Sequence, residues 1–492
     1  MGIPSETPTP GKNSAWGLVL LCLIAVTLRV AMVAWNRDAN DEHFTVIRLI
    51  LDQHRLPLRD ECWECFQPKA YHAAVAAVLA CLGKSGAGNE SLLLAGGLLN
   101  LIAGVATLAL AGTAIHRYSI GGPWLKLSAF GLMALNPALV GISSQATNDA
   151  FAILFSTAAL IAAGRFLERA RPWPFLAMAV CAALAIACKT NTLVTAMAIF
   201  VALVAKAIVV AQRNGPVSVS VGEAAATPEG HGNAMHAFGF ALAVAALSIA
   251  NPLNQYSANQ RAYGTPLALN MERNPSPPWF ATATGNFRPG ILSVAGGFFT
   301  FRLADLLEHP RLDNGKDEYA TNRTSFWTLL YGRAHSLHYD NWPQTWRTEG
   351  RQGFRLTRAI FLLALLPTAM VGWGAIRESR IVVAGLLQRN GKALGDVGYG
   401  LATLCMLGYL AFVALYAYLY RDFSVMKTIF LYPALLALPL CYLRAGEALL
   451  MRLGRFPWAP RAFAICIGSL LGLYALEILS MIRLLAGQPH PF

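Results

Sequence analysis

The sequence predicts an all-α integral membrane protein of about eleven transmembrane helices, and three observations carry that prediction. Only 13% of the 492 residues are charged, where soluble domains carry about 25%. Apolar runs close to the ~20 residues needed to cross a hydrocarbon core recur along the whole chain. Those runs are continuous, as in LLLAGGLLNLIAGVATLALAGTAI, and lack the alternation that barrel strands require.

Taken in order, the first 14 residues are polar and Pro-rich and read as a disordered cytoplasmic tail. Ala15 to Trp35 is too long for a signal-peptide core and lacks a small-residue cleavage site, so it reads as a retained anchor. Spans are expected at 15–36, 91–115, 123–142, 148–167, 173–188, 190–212, 236–252, 356–376, 398–420, 424–443 and 462–485. The segment 69–83 would rise only ~22 Å as a helix, short of the ~30 Å core, and reads as re-entrant or interfacial. The expected organisation is a catalytic membrane module, 15–252, containing a first outer loop at 37–90. An outer region follows at 253–355, then a second membrane module at 356–492. Arg213 to Met235 is Gly/Ala/Ser/Pro-rich, a cytoplasmic linker. At about 100 residues the outer region exceeds a simple connection; it holds a short helical pattern, TSFWTLLYGRAHSLHY, and suits a lid or acceptor-binding loop.

A net charge of +13 reads as membrane orientation, because Arg and Lys accumulate on cytoplasmic loops. No basic stripe with interleaved aromatics marks a nucleic-acid surface. With a non-crossing 69–83, the clusters Arg165/Arg169/Arg171, Arg377/Arg380 and Arg452/Arg455/Arg461 fall inside; a crossing segment would invert them. The opposite face then collects Asp41, Glu42, Lys69, Asn148, Asp149, Lys189, Arg421 and Asp422 at span edges, where ionisable side chains are costly and functional by default.

Asp41 and Glu42 offer a carboxylate that activates an acceptor hydroxyl or holds a metal, the alternative being a cap on the helix that follows. In Gln67-Pro68-Lys69-Ala70-Tyr71-His72, Pro68 suits a helix mouth and Lys69 places a point charge at the interface, with Tyr71 and His72 beside it. Its alternative is a snorkelling anchor. Asp149 follows Asn148 at a span start, where a cap is the alternative, and Lys189 is the natural cation to neutralise it. Arg421 and Lys427 flank two outer span ends and either meet phosphate or anchor the interface. Cys62 and Cys65 are the only spaced cysteine pair, a disulfide in an oxidising compartment or free thiols. His309, His335 and His338 lack the spacing of a helical metal site, and Asn89 and Asn322 begin sequons.

These stretches resemble the GT-C class of polyprenyl-phosphate-dependent glycosyltransferases, particularly the protein O-mannosyltransferases and the lipid A aminoarabinose transferase. NDEHFTVIRLI is similar to the Asp-Glu element of the first outer loop, and FQPKAYHAAVAAVLA to a Pro-Pro-Leu-Tyr element. SSQATNDAFAILF resembles the second outer aspartate segment, LAIACKTNTLV a Leu-Thr-Lys-Gly segment, and RDFSVMKTIFLYPALLALPL the late Tyr-x-x-Pro-Ala run. Lys69 replaces the second proline, and Cys-Trp-Glu-Cys has no counterpart in the pattern.

The resemblance implies a GT-C-type bundle with outer juxtamembrane helices and one long outer loop. It also implies an inverting transfer of one sugar from a polyprenyl-phosphate donor to a hydroxyl of a lipid, glycan or protein. By the resemblance Asp41 would be the base or metal-associated carboxylate, Asp149 would support it, and Lys69, Lys189 and Arg421 would meet the carrier phosphate; Glu42 joins the catalytic candidates, and Tyr71, His72 and Lys427 the donor-binding candidates, by their positions. A divalent cation, Mg or Mn, is a candidate cofactor held by Asp41 and Asp149. The expected setting is the bacterial inner membrane with a periplasmic site, the endoplasmic reticulum being the alternative. A transporter or flippase, or an oligosaccharide ligase using a pyrophosphate carrier, are the competing functions.

Overall fold

The computed structural model describes residues 12–36, 42–118, 121–213, 229–267, 296–308, 310, 325–336, 351–387, 397–420 and 428–487. Among them every regular element is helical, and seven helices are long and apolar enough to cross a membrane, or eight if one bent pair counts as a span. The protein is therefore an integral, multi-pass membrane protein.

The long helices are α1 (Lys12–Trp35), α4 (Asn89–Tyr118), α7 (Asp149–Glu168), α9 (Leu193–Arg213), the nearly continuous α15 (Arg351–Leu363) and α16 (Leu365–Leu387), α17 (Val397–Tyr420) and α19 (Ala459–Ala486). The bent pair joins the 3-10 turn Thr428–Ala434 to α18 (Ala437–Leu453) at 75°.

Among the described residues seven or eight of the eleven expected spans meet that length and apolarity, and two of the other three windows are shorter or interrupted. The window 123–142 splits into α5 (Pro123–Ala134) and α6 (Pro137–Ile142), because Pro137 cannot continue a helix and Asn136 caps the new one by accepting from the Leu139 amide at 3.1 Å. The helix α8 (Pro172–Cys188) has 17 residues, and α10 (Glu229–Ala250) has 22.

Helix α7 is the hub, packed on α4, α8, α9, α17 and the 428–434 turn. Its buried face is mostly small (Ala150, Ala152, Ser156, Thr157, Ala159, Ala162, Ala163, Gly164), which lets neighbouring backbones approach closely. Gly97 of α4 plays the same part for the chain leading into α7, since a Cβ there would lie 2.9 Å from the Ser144 carbonyl oxygen. Buried charge is paired across α16 and α18, where the Arg444 guanidinium donates to Glu378 and lies 4.6 Å over the Tyr399 ring.

Two helices stand apart from the spans. The helices α2 (His43–Gln53) and α3 (Ala70–Cys81) pack on each other and on α4 around Ile47, Leu51, Tyr71, Val75, Leu79 and Leu92. At 12 residues α3 rises about 18 Å and does not reach across hydrocarbon by itself.

The helical pattern read within 253–355 is present as a helix docked on its neighbours. Helix α14 (Phe326–His335) follows α11 (Tyr256–Tyr263), α12 (Gly296–Phe299) and α13 (Leu303–Glu308) and is wedged into the bundle. Thr428 donates to the Leu330 carbonyl at 2.9 Å, Asn136 to Ala334 at 2.8 Å, and the Tyr331 hydroxyl to Phe361. The His335 ring lies between the Tyr474 hydroxyl at 2.5 Å and the Thr368 hydroxyl at 2.8 Å.

Candidate functional site

The segment between α2 and α3 ends in a 3-10 turn, Trp63–Phe66, closed by a Cys62–Cys65 disulfide. Pro68 then directs the chain into α3, and the Lys69 amide donates to the Leu253 carbonyl at 2.8 Å. Lys69 is fully buried, and its ammonium donates at 2.5 Å to the carbonyls of both Cys65 and Gln67. Burial pulls its pKa down to about 7 against the opposing pull of Glu64 and Glu61. Lys69 thus staples the turn that presents Gln67.

Gln67 reaches in two directions. Its amide nitrogen donates to Glu64, and its amide oxygen accepts from Asn148 Nδ2 at 2.5 Å. The same Asn148 nitrogen donates to the Cys188 carbonyl at 2.8 Å, so one fully buried amide joins the α3 mouth, the α7 start and the α8 end. The next residues along two of those segments, Asp149 and Lys189, form an ion pair, both nearly buried. Lys189 also lies 5.2 Å from the centroid of the Phe430 ring. Asp149 occupies the first turn of α7, where the helix dipole favours an anion.

Tyr71 and His72 face the bundle behind this junction. The Tyr71 hydroxyl lies 3.5 Å from the Asn100 amide, which donates to the Gln145 and Thr147 carbonyls at 2.5 and 2.6 Å and so shapes the loop into α7. Burial, with the charge of Asp149 adding to it, raises the Tyr71 pKa, so the phenol is neutral. His72 pairs with His43 (Nε2 to Nδ1, 2.9 Å), and burial together with the nearby His43 and Lys69 lowers its pKa well below the ordinary value. A neutral His72 is a spacer between α2 and α3, a poor contact for phosphate.

Of the predicted residues, Asp149 and Lys189 come together, and Lys69 is connected to them through Gln67 and Asn148. Glu42 is exposed in the left-handed region (φ 53°) at the N-cap position of α2, and its side chain makes no capping bond. Asn148 likewise makes no side-chain cap on α7. Asp41, Arg421, Lys427, His309 and His338 lie outside the described residues. Among the described residues no group of three His, Cys, Asp or Glu side chains is placed to hold a metal.

Sequence reasoning missed Gln67, Glu64 and Asn100 as parts of this junction. Asn100 had a readable signal, an amide alone in the long apolar run of α4, where a buried polar group implies a partner.

Residues 95–263, about a third of the chain, match the family model of dolichyl-phosphate-mannose-protein mannosyltransferases. That match covers Asn148, Asp149 and Lys189, upholds the GT-C resemblance, and supports a membrane glycosyltransferase that draws on a lipid-linked sugar. No curated protein matches the chain. Among solved structures, the Archaeoglobus fulgidus oligosaccharyltransferase, crystallised with Zn and sulfate, is similar at 12% identity with a TM-score of 0.45. The similarity covers 94% of this chain, which spans about half (53%) of that one.

Proposed function

We propose that this chain moves a single sugar from a polyprenyl-phosphate donor to a hydroxyl of a lipid, glycan or protein on the non-cytoplasmic side of its membrane. The observation that carries the reading is the junction of three helix ends by Gln67 and Asn148 beside a buried Asp149–Lys189 pair. The family match over 95–263 supports it and makes a mannosyl lipid the first donor to test.

In the proposed reaction the bond between the sugar C1 and the phosphate oxygen breaks, and a bond forms from the acceptor oxygen to C1. The acceptor proton passes to a carboxylate, for which Asp41 is the candidate, with Glu42 beside it. Charge develops on the departing lipid phosphate, where Arg421, Lys427 and the remaining N–H donors of Lys189 would stabilise it. Lys69 contributes by holding the turn, since its donors already serve two carbonyls. Tyr71 and His72 support α3 from behind, outside direct reach of the donor.

A divalent cation does not fit at Asp149 while the Lys189 ammonium occupies Oδ1, because like charges would share one carboxylate. Any metal would rest on Asp41 and Glu42.

The test is transfer by the purified full chain in lipid nanodiscs, with radiolabelled polyprenyl-phosphate mannose and membrane extract as acceptor. A product heavier by one hexose supports the reading. A product heavier by a whole oligosaccharide indicates a ligase, and lipid movement without covalent change indicates a flippase.

A further inference from the structure

Asn191 sits in the short turn Thr190–Thr192 directly after Lys189, and its Nδ2 and Oδ1 are both buried with no hydrogen-bond partner among the described residues. Close by in the chain junction, Asn148 spends its nitrogen on Gln67 and Cys188 while its Oδ1 is unpartnered in a fully buried residue. The Thr147 hydroxyl and the Asn100 Oδ1 are unpartnered as well. Leaving such groups unsatisfied is costly, so several of them around one helix junction are unusual unless something else bonds them.

The inventory says what kind of ligand suits them. Three amide oxygens accept, one hydroxyl accepts or donates, and one amide nitrogen donates. A phosphate offers acceptors alone and leaves the amide oxygens unpaired. A hard cation suits oxygen ligands in general. Here it would face the Lys189 ammonium and the positive end of the α7 dipole. Vicinal sugar hydroxyls both donate and accept, and a side-chain amide pairs with them in both directions. We infer that Asn191, with Asn148 Oδ1 beside the Asp149–Lys189 pair, reads hydroxyl groups of the transferred sugar and is a specificity-determining residue. This inference rests on the glycosyltransferase reading above. It places the sugar hydroxyls at the α7–α8 junction, with the phosphate on the far side of Lys189, its other proposed partners being Arg421 and Lys427.

The experiment compares two probes on the full chain in nanodiscs, mannosyl-phosphoryl polyprenol and bare polyprenyl phosphate. For Asn191→Ala, affinity for the mannosylated lipid should fall at least tenfold and affinity for the bare lipid less than twofold. Asn191→Asp, which keeps the shape and the acceptor oxygen but loses the NH2, should fall between wild type and alanine. Equal weakening for both lipids, or no change for either, overturns the inference. If neither variant folds, the wild-type chain decides: bare lipid binding as tightly as mannosylated lipid overturns it too. A wild type that binds neither lipid defeats the glycosyltransferase reading itself. A wild type that transfers mannose while Asn191→Ala keeps its full preference defeats the role of Asn191 alone.

Discussion

Asn148 donates to the Gln67 side chain at 2.5 Å and to the Cys188 backbone at 2.8 Å, so a single amide fixes where the α3 mouth meets the ends of α7 and α8. The Asp149–Lys189 pair lies one residue further along on each of the latter two. Whatever moves Asn148 also moves the charges.

Replacing Gln67 by Ala removes the acceptor for Asn148 and leaves buried groups unpaired, which costs about 1–3 kcal/mol. Transfer should drop at least tenfold in kcat with little change in donor KM, and Gln67→Glu, which retains an acceptor oxygen, should recover part of it. Steady-state kinetics checks this; a uniform rise in KM would point to direct donor contact.

Breaking the Asp149–Lys189 pair strands a buried charge. Asp149→Asn or Lys189→Met alone should destabilise the protein by about 3–5 kcal/mol, and the double variant by much less than the sum. Thermal unfolding in detergent measures the cycle, and additive losses would show that the two side chains do not depend on each other.

Lys69 makes stability depend on pH. Its folded pKa of about 7 lies below the unfolded value of 10.5, so between these the unfolded chain holds a proton that the folded chain has released. Stability should rise as pH climbs from about 7 towards 10, and the contribution is lost below 7, where both states are protonated. The melting temperature of wild type minus that of Lys69→Met, followed from pH 6 to 10, should increase; a flat difference rules out a depressed lysine.

Asp41→Asn should abolish transfer while expression and the unfolding profile stay as in wild type. Parallel activity and size-exclusion measurements check both halves. Full activity would remove Asp41 from the proposed chemistry.

Much of the architecture was legible because lipid demands it. Every crossing helix must be apolar for most of its length, so α1, α4, α7, α9, α16, α17 and α19 announce themselves, and the short α3 can be told from them by length alone. Pro137 inside an apolar window, by contrast, was passed over, and it splits α5 from α6. Helix α14 was visible as a pattern, but its docking was not, since nothing in Phe326–His335 names Asn136, Thr368, Thr428 and Tyr474 as its partners.

Composition and periodicity alone were enough to establish a multi-span helical membrane protein with ionisable groups gathered near span ends, because burying charge in hydrocarbon is expensive and leaves a mark at each position. The pairings waited for the fold. Gln67 meets Asn148 across 81 residues and Asp149 meets Lys189 across 40. Contacts of that range depend on which helix ends are packed together, a property of the whole bundle that no local stretch encodes.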